Sequence, residues 1–273
     1  MKTMTQRIAG GRRAAWLAVA LTFAGAAVAE QEGTIITRPD NRPLAGMLKW
    51  RALDRVYEIK SGQTTTTWPL EKVNSVQIRT PPPALEGLSK LVKDGAGGSA
   101  IPGLLQIVAS YEMLNYDLEA ARWLAVAYTK GNKAAEAIRV CEQVSQYRPK
   151  SALPADFLRA YWQALLMDRQ YTKLEQELAD VAAEGGREAA AVAQNTRGDM
   201  KMEKKGYRDA LVDGYLRTVV LFQDIKSAQP EALFKAAQCF DQLGQATYAE
   251  RMRKRLLSEF PQDPNAEKLK AGG

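Results

Sequence analysis

Residues 118–149 read LEAARWLAVAYTKGNKAAEAIRVCEQVSQYRP, and this stretch decides the fold. In its first half Ala121, Leu124, Ala125 and Tyr128 fall at i, i+3, i+4 and i+7, which lines one face of an α-helix. Gly131 ends that helix. The second half repeats the arrangement with Ala137, Cys141 and Val144, and Pro149 closes it because proline cannot continue a helix. Small residues at Ala125 and Ala137 let the two backbones approach, so the stretch predicts two short helices folded onto each other.

The hairpin recurs along the chain. The small or apolar residue near the start of each second helix is Ala100, Ala137, Leu174, Ala210 and Ala249, at spacings of 37, 37, 36 and 39. A period of roughly 20 to 50 residues marks a solenoid of stacked units. The last copy is the cleanest, with Leu233, Ala236, Ala237 and Phe240 on its first helix, Gly244 at the turn and Pro261 at its end. The third offers Leu158, Tyr161, Trp162 and Leu165, then Tyr171, Leu174, Leu178 and Val181, and stops at Gly185-Gly186. In the fourth, Gly198, Tyr207 and Ala210 fall in suitable places, but the first helix is nearly polar and the turn reads as one residue long. The first copy is irregular, as terminal repeats facing solvent are.

On this small-large apolar pattern, with its Gly turns and Pro terminators, the chain resembles the tetratricopeptide-repeat (TPR) family over residues 84–268. The resemblance implies a mainly α fold, a solenoid of about five helix pairs, with a concave groove lined by the first helix of each pair. In such repeats the groove positions flank the packing stripe. Here those are Arg122, Val126 and Thr129, then Arg159 and Gln163, then Asn195 and Asp199, then Phe234, Gln238 and Asp241. These rows are rich in amide and guanidinium donors, which suits a protein or extended peptide partner. The resemblance to envelope-associated repeat proteins implies a scaffold that helps assemble or maintain envelope complexes.

The stretch before the repeats differs in period. From Gly33 to Ile78, short β-branched runs (GTIIT, AGMLKW, RVYEIK, TTTTWPL, VNSVQI) are separated by turn clusters, predicting a small antiparallel sheet or barrel of about five strands over residues 30–80. Leu48 and Trp50 alternate with Lys49 and Arg51, so one face is buried. About 50 residues make a thin core, and the module is expected to lean on the helices. It resembles an SH3-like or Sm-like barrel only in outline. Pro81-Pro82-Pro83 reads as a stiff linker, and residues 269–273 as a tail. Ser99 is the expected N-cap of the next helix, with Pro102 in its first turn. The glycines of KDGAGGS (93–99) lack the Lys-Ser/Thr and preceding strand of a phosphate loop and read as a turn.

Residues 1–29 are of another kind. Lys2, Arg7, Arg12 and Arg13 precede an apolar run from Ala14 to Ala26, and Ala27-Val28-Ala29 offers a cleavage site before Glu30. That is the pattern of a secretory signal, with too short an apolar run to span a bilayer comfortably. No cysteine follows for lipid attachment. The expected product is exported to the periplasm or cell envelope and soluble after cleavage. The leader holds four bases and no acids, so the net charge of +7 falls to +3 beyond it, from 34 bases and 31 acids. A nucleic-acid reading through the β module thereby loses its main support.

The chain contains no histidine, which removes the commonest general base, Ser-His-Asp and Cys-His arrangements and the usual zinc sites. A carbohydrate-active enzyme would need two acids across a cleft of roughly 5 to 9.5 Å, which no spacing here implies. No catalytic, metal or cofactor residue is therefore assigned; Glu119, Asp156, Asp199 and Asp241 read as polar groups on helix surfaces. Cys141 and Cys239 lie in non-neighbouring repeats, too far apart for a bridge, and read as buried thiols. Trp123 and Trp162 read as packing between repeats. Partner identity and oligomeric state stay open.

Overall fold

A computed structural model describes residues 30–272; the leader read over residues 1–29 lies outside them. Five strands come first: β1 (Gln31–Thr37), β2 (Pro43–Arg51), β3 (Val56–Ser61), β4 (Thr64–Pro69) and β5 (Val73–Ile78). They form one antiparallel sheet in the order β4-β3-β2-β1-β5, a meander whose last strand returns to pair with the first. The alternation seen in the sequence sets the register: Leu48 faces Ile59 and Trp50 faces Tyr57, all four buried.

Among the described residues twelve helices follow: α1 (Leu85–Lys93), α2 (Gly97–Ser110), α3 (Tyr116–Lys130), α4 (Ala134–Ser145), α5 (Ala155–Met167), α6 (Tyr171–Glu184), α7 (Arg187–Glu203), α8 (Tyr207–Ala210), α9 (Leu216–Leu221), α10 (Gln229–Gln242), α11 (Ala246–Glu259) and α12 (Pro264–Gly272). A π-helical turn, Leu211–Tyr215, joins α8 to α9, so the three run on as one second helix. The pairs are α1/α2, α3/α4, α5/α6, α7/α8–α9 and α10/α11, with α12 packed against the last.

One device closes all five hairpins. The residue five places before each of Ala100, Ala137, Leu174, Ala210 and Ala249 has a left-handed backbone: Gly95, Asn132, Arg169, Lys205 and Gly244, with φ of 88°, 59°, 56°, 58° and 69°. The next N–H reaches back across the helix end: Ala96 to the Leu91 carbonyl, Lys133 to Tyr128, Gln170 to Leu165, Gly206 to Lys201 and Gln245 to Phe240, at 2.8–3.0 Å. This is the Schellman closure, which satisfies carbonyls left over at a helix end. Its recurrence ties the sequence period to a repeated geometry.

Four expectations change. Helix α2 begins at Gly97, because the α1 closure leaves the chain ready to turn at once; Ser99 is therefore inside the helix and caps nothing. Pro102 lies in the interior of α2, where its missing N–H is owed to the carbonyl of the exposed Gly98. The turn of the fourth pair spans Lys204, Lys205 and Gly206 rather than one residue, and residues 269–272 finish helix α12 rather than form a tail.

The apolar interior is divided. One cluster joins the inner face of the sheet to α1–α7, from Ile35 to Met200; a second runs from Ala210 to Ala266. The seam between them is polar. Buried Asn195 donates from Nδ2 to the Ala228 carbonyl at 3.0 Å, Thr218 from Oγ1 to Ala191 at 3.2 Å, and Gln229 from Nε2 to Thr218 at 2.7 Å and Phe222 at 2.9 Å. Backbones also meet there: a Cβ on Gly214 would stand 2.5 Å from the Gly198 Cα, and one on Gly198 would enter the Tyr215 ring. Cys141 and Cys239 are buried free thiols.

Candidate interaction groove

The first helices α3, α5, α7 and α10 form one wall, and its charged side chains reach from rung to rung. Arg122 on α3 places Nη1 3.5 Å from Asp156 Oδ2 on α5 while its guanidinium lies 4.2 Å over the Trp123 ring. Arg159 on α5 brings Nε to 3.8 Å from Glu231 Oε2 on α10, past the intervening α7. Asp199 on α7 receives Lys235 Nζ of α10 at 2.7 and 2.8 Å. A contact that skips a repeat requires the wall to curve inward.

At the floor of this wall, Arg159, Asp199, Glu231 and Lys235 form a compact set of two acids and two bases. Lys235 also donates to Glu231 Oε1 at 2.6 Å, and the Tyr215 hydroxyl donates to Asp199 Oδ1 at 2.6 Å. Burial raises the Asp199 carboxyl above the usual carboxylate range even with Lys235 against it. Burial pushes Glu231 in the same direction, but Lys235 and Arg159 together bring it below that range. Burial pulls the Lys235 ammonium down, and the two carboxylates more than offset this, holding it above its ordinary value. Nε and Nη2 of Arg159 are buried with no hydrogen-bond partner among the described residues.

The positions read from the sequence thus fall into three groups. Gln163 is exposed on the wall, Gln238 and Val126 are half-buried, and Arg122 and Arg159 are held by the carboxylates just described. Thr129 donates into its own helix, to the Ala125 carbonyl at 2.8 Å, and Phe234 packs under Lys268 of α12, whose Nζ lies 5.8 Å from the ring. Asp241, though exposed, pairs with Arg253 of α11. Asn195 and Asp199 are interior: Asn195 is 1% exposed and belongs to the seam, and Asp199 is enclosed by Lys235 and Tyr215, so it is not a surface group. Sequence reasoning missed Glu231, Lys235 and Tyr215. The i, i+4 spacing of Glu231 and Lys235 was the available signal.

A second concavity lies where sheet meets helices, a cleft of about 390 Å³ with Arg38, Asn74, Asn115, Tyr147 and Arg148 on its walls. The α2–α3 loop builds it. Asp117, fully buried, accepts the Met113 N–H at 2.8 Å and Arg148 Nη2 at 2.9 Å. Burial raises its carboxyl, and Arg148 and the backbone donors only partly reverse this. The loop so fixed receives the sheet: Tyr57 Oη donates to the Met113 carbonyl at 3.0 Å, and Asn115 Nδ2 donates to Val76 at 2.7 Å. Trp162 is fully buried, and Trp123 is half-buried between Arg122 and Lys93, so both pack rather than project.

Five antiparallel helix pairs, closed by one turn geometry at a period of 36–39 residues, define the array. It is a TPR-like solenoid. Among solved structures it is similar to a variant of a kinesin light chain with nearly identical TPR-like repeats from Podosopora anserina (TM-score 0.46, 18% identity, covering 64% of this chain and 91% of that one). It is also similar to MamA of MSR-1 (TM-score 0.38, 15% identity, 62% and 94%). No family model and no curated protein matches the chain. Among the described residues of the TPR-like chain, no helix is long and apolar enough to cross a membrane and no group of His, Cys, Asp and Glu could hold a metal ion.

Proposed function

We propose that the protein is a non-catalytic protein-interaction scaffold of the periplasm or cell envelope, holding a partner protein or extended peptide along the wall of first helices. The location rests on the leader read in the sequence. The binding mode rests on one observation: the curved wall of α3, α5, α7 and α10 leaves the Arg122 and Arg159 side chains 24% and 30% exposed, with the acids across the rungs, Asp156 and Glu231, no closer than 3.5 and 3.8 Å. Carboxylates of an incoming chain suit the exposed parts of these two guanidinium groups, and the Gln163 amide can pair with its backbone.

A photo-crosslinking residue at Gln163, compared with one at Glu250 on α11, tests this in the native envelope. Attachment to one defined protein from position 163 and not from 250 is expected, with Arg122→Glu reducing the yield about tenfold, since one charge-assisted contact is worth roughly 1.5 kcal/mol. Equal labelling from both positions would refute the groove.

A further inference from the structure

The sheet has two edges, and among the described residues only one of them is covered. On β5 the Val76 carbonyl accepts Asn115 Nδ2 from the helical array, and Asn74 and Ser75 border the cleft against Tyr147 and Arg148. On β4 the residues Thr64–Thr67 are exposed, the strand TTTTWP carries no charge, and its ladder with β3 has no bulge. Charge, a bulge or a covering element is how natural sheets blunt an edge. Within Thr64–Thr67 this strand has none.

Its backbone parity is fixed by two observations. The Leu70 N–H donates to the Arg55 carbonyl at 3.1 Å, and Ser61 faces Thr64, Ile59 faces Thr66 and Tyr57 faces Trp68. Alternate residues of an antiparallel strand bond to the same neighbour, so Thr64, Thr66 and Trp68 bond inward to β3. Thr65 and Thr67 then turn N–H and C=O outward. Pro69, which has no N–H, falls on the outward parity, where its own ladder loses nothing.

We propose that this edge is a self-association site at which β4 of one copy pairs antiparallel with β4 of a second, about a two-fold axis through Thr66. Thr65 of each copy then faces Thr67 of the other, and both pairs exchange N–H···O bonds. The side-chain pairs formed are Thr65 opposite Thr67 and Thr66 opposite Thr66, a favourable cross-strand combination, flanked by Thr64 opposite Trp68, and no charge of one β4 meets its like. The register is bounded at both ends. Gln63 lies in the β3–β4 turn, and a slip that brings Pro69 opposite Thr65 forfeits a donor. This symmetry of donors about Thr66 favours a second copy over an unrelated strand.

In that register Thr66 meets Thr66 at a non-hydrogen-bonded position, with Cα atoms about 4.5 Å apart, a separation a disulfide spans. The native thiols are buried and do not compete. The experiment is sedimentation velocity over a concentration series, with mild oxidation of the Thr66→Cys and Thr65→Cys variants. The mass should double with concentration, Thr66→Cys should give a disulfide-linked dimer, and Thr65→Cys should not. Thr65→Pro removes an outward donor only; it should stay monomeric where the parent is dimeric, with an unchanged melting temperature. A parent that never doubles, a Thr65→Pro variant that associates like the parent, or equal cross-linking of both cysteine variants overturns the proposal.

Discussion

Arg169 and Lys205 hold backbone conformations that a side chain disfavours by about 1–2 kcal/mol, because the Schellman closure needs a left-handed residue there whatever the sequence supplies. At the equivalent places of the other repeats the chain has Gly95, Asn132 and Gly244. Arg169→Gly and Lys205→Gly should therefore each raise the unfolding free energy by up to about 1 kcal/mol, net of the unfolded-state entropy that glycine adds, measured by urea denaturation. The turn glycine named from the sequence, Gly131, has an ordinary φ, and Asn132 beside it takes the strained role. A second residue-scale consequence is electrostatic. Arg187 grips Asp224 through Nε at 2.8 Å and Nη2 at 2.7 Å and holds its carboxyl down to about 2. The stabilisation this pair gives is present above the ordinary carboxylate range and is lost as pH falls through that range to about 2. An NMR titration of Arg187→Met should find the Asp224 carboxyl back near 4.

At the scale of elements, the crossing of α7 with the π-helical turn brings backbone against backbone at Gly198 and Gly214. Because a Cβ on Gly214 would meet main-chain atoms, which cannot swing aside, Gly214→Ala should cost about 3 kcal/mol, the upper range for overpacking. A fall in thermal midpoint compared with Gly87→Ala, whose Cβ would meet nothing, checks this. The paired helices and the five strands were legible in the sequence because periodicity is local: each stripe and each alternation is contained within a dozen residues. The groove floor was not. Its members come from α5, α7 and α10, and whether Asp199 points to solvent or to Lys235 is decided by how three repeats curve together. The polar character of α7, which obscured the fourth repeat, has the same origin, since Asn195 serves the seam instead of an apolar core.

At the scale of the whole molecule, two apolar clusters joined by hydrogen-bonded polar groups predict two cooperative units. Amide hydrogen exchange in low urea should release α10–α12 at a lower free energy than α3–α6, and Asn195→Ala should widen that gap; uniform protection along the array would contradict it. The other junction is of a different kind. The sheet shares its interior with the helices, and Trp50 lies 6.2 Å from the Tyr147 ring. For a chain growing from its amino end, this means that the strands appear first, yet the groups that seal them, Met113 and Asn115 and then Tyr147, arrive only after dozens more residues have been added. Until then the newborn sheet has a wet underside, and it stays so until the second helical hairpin has emerged and Tyr147 follows it.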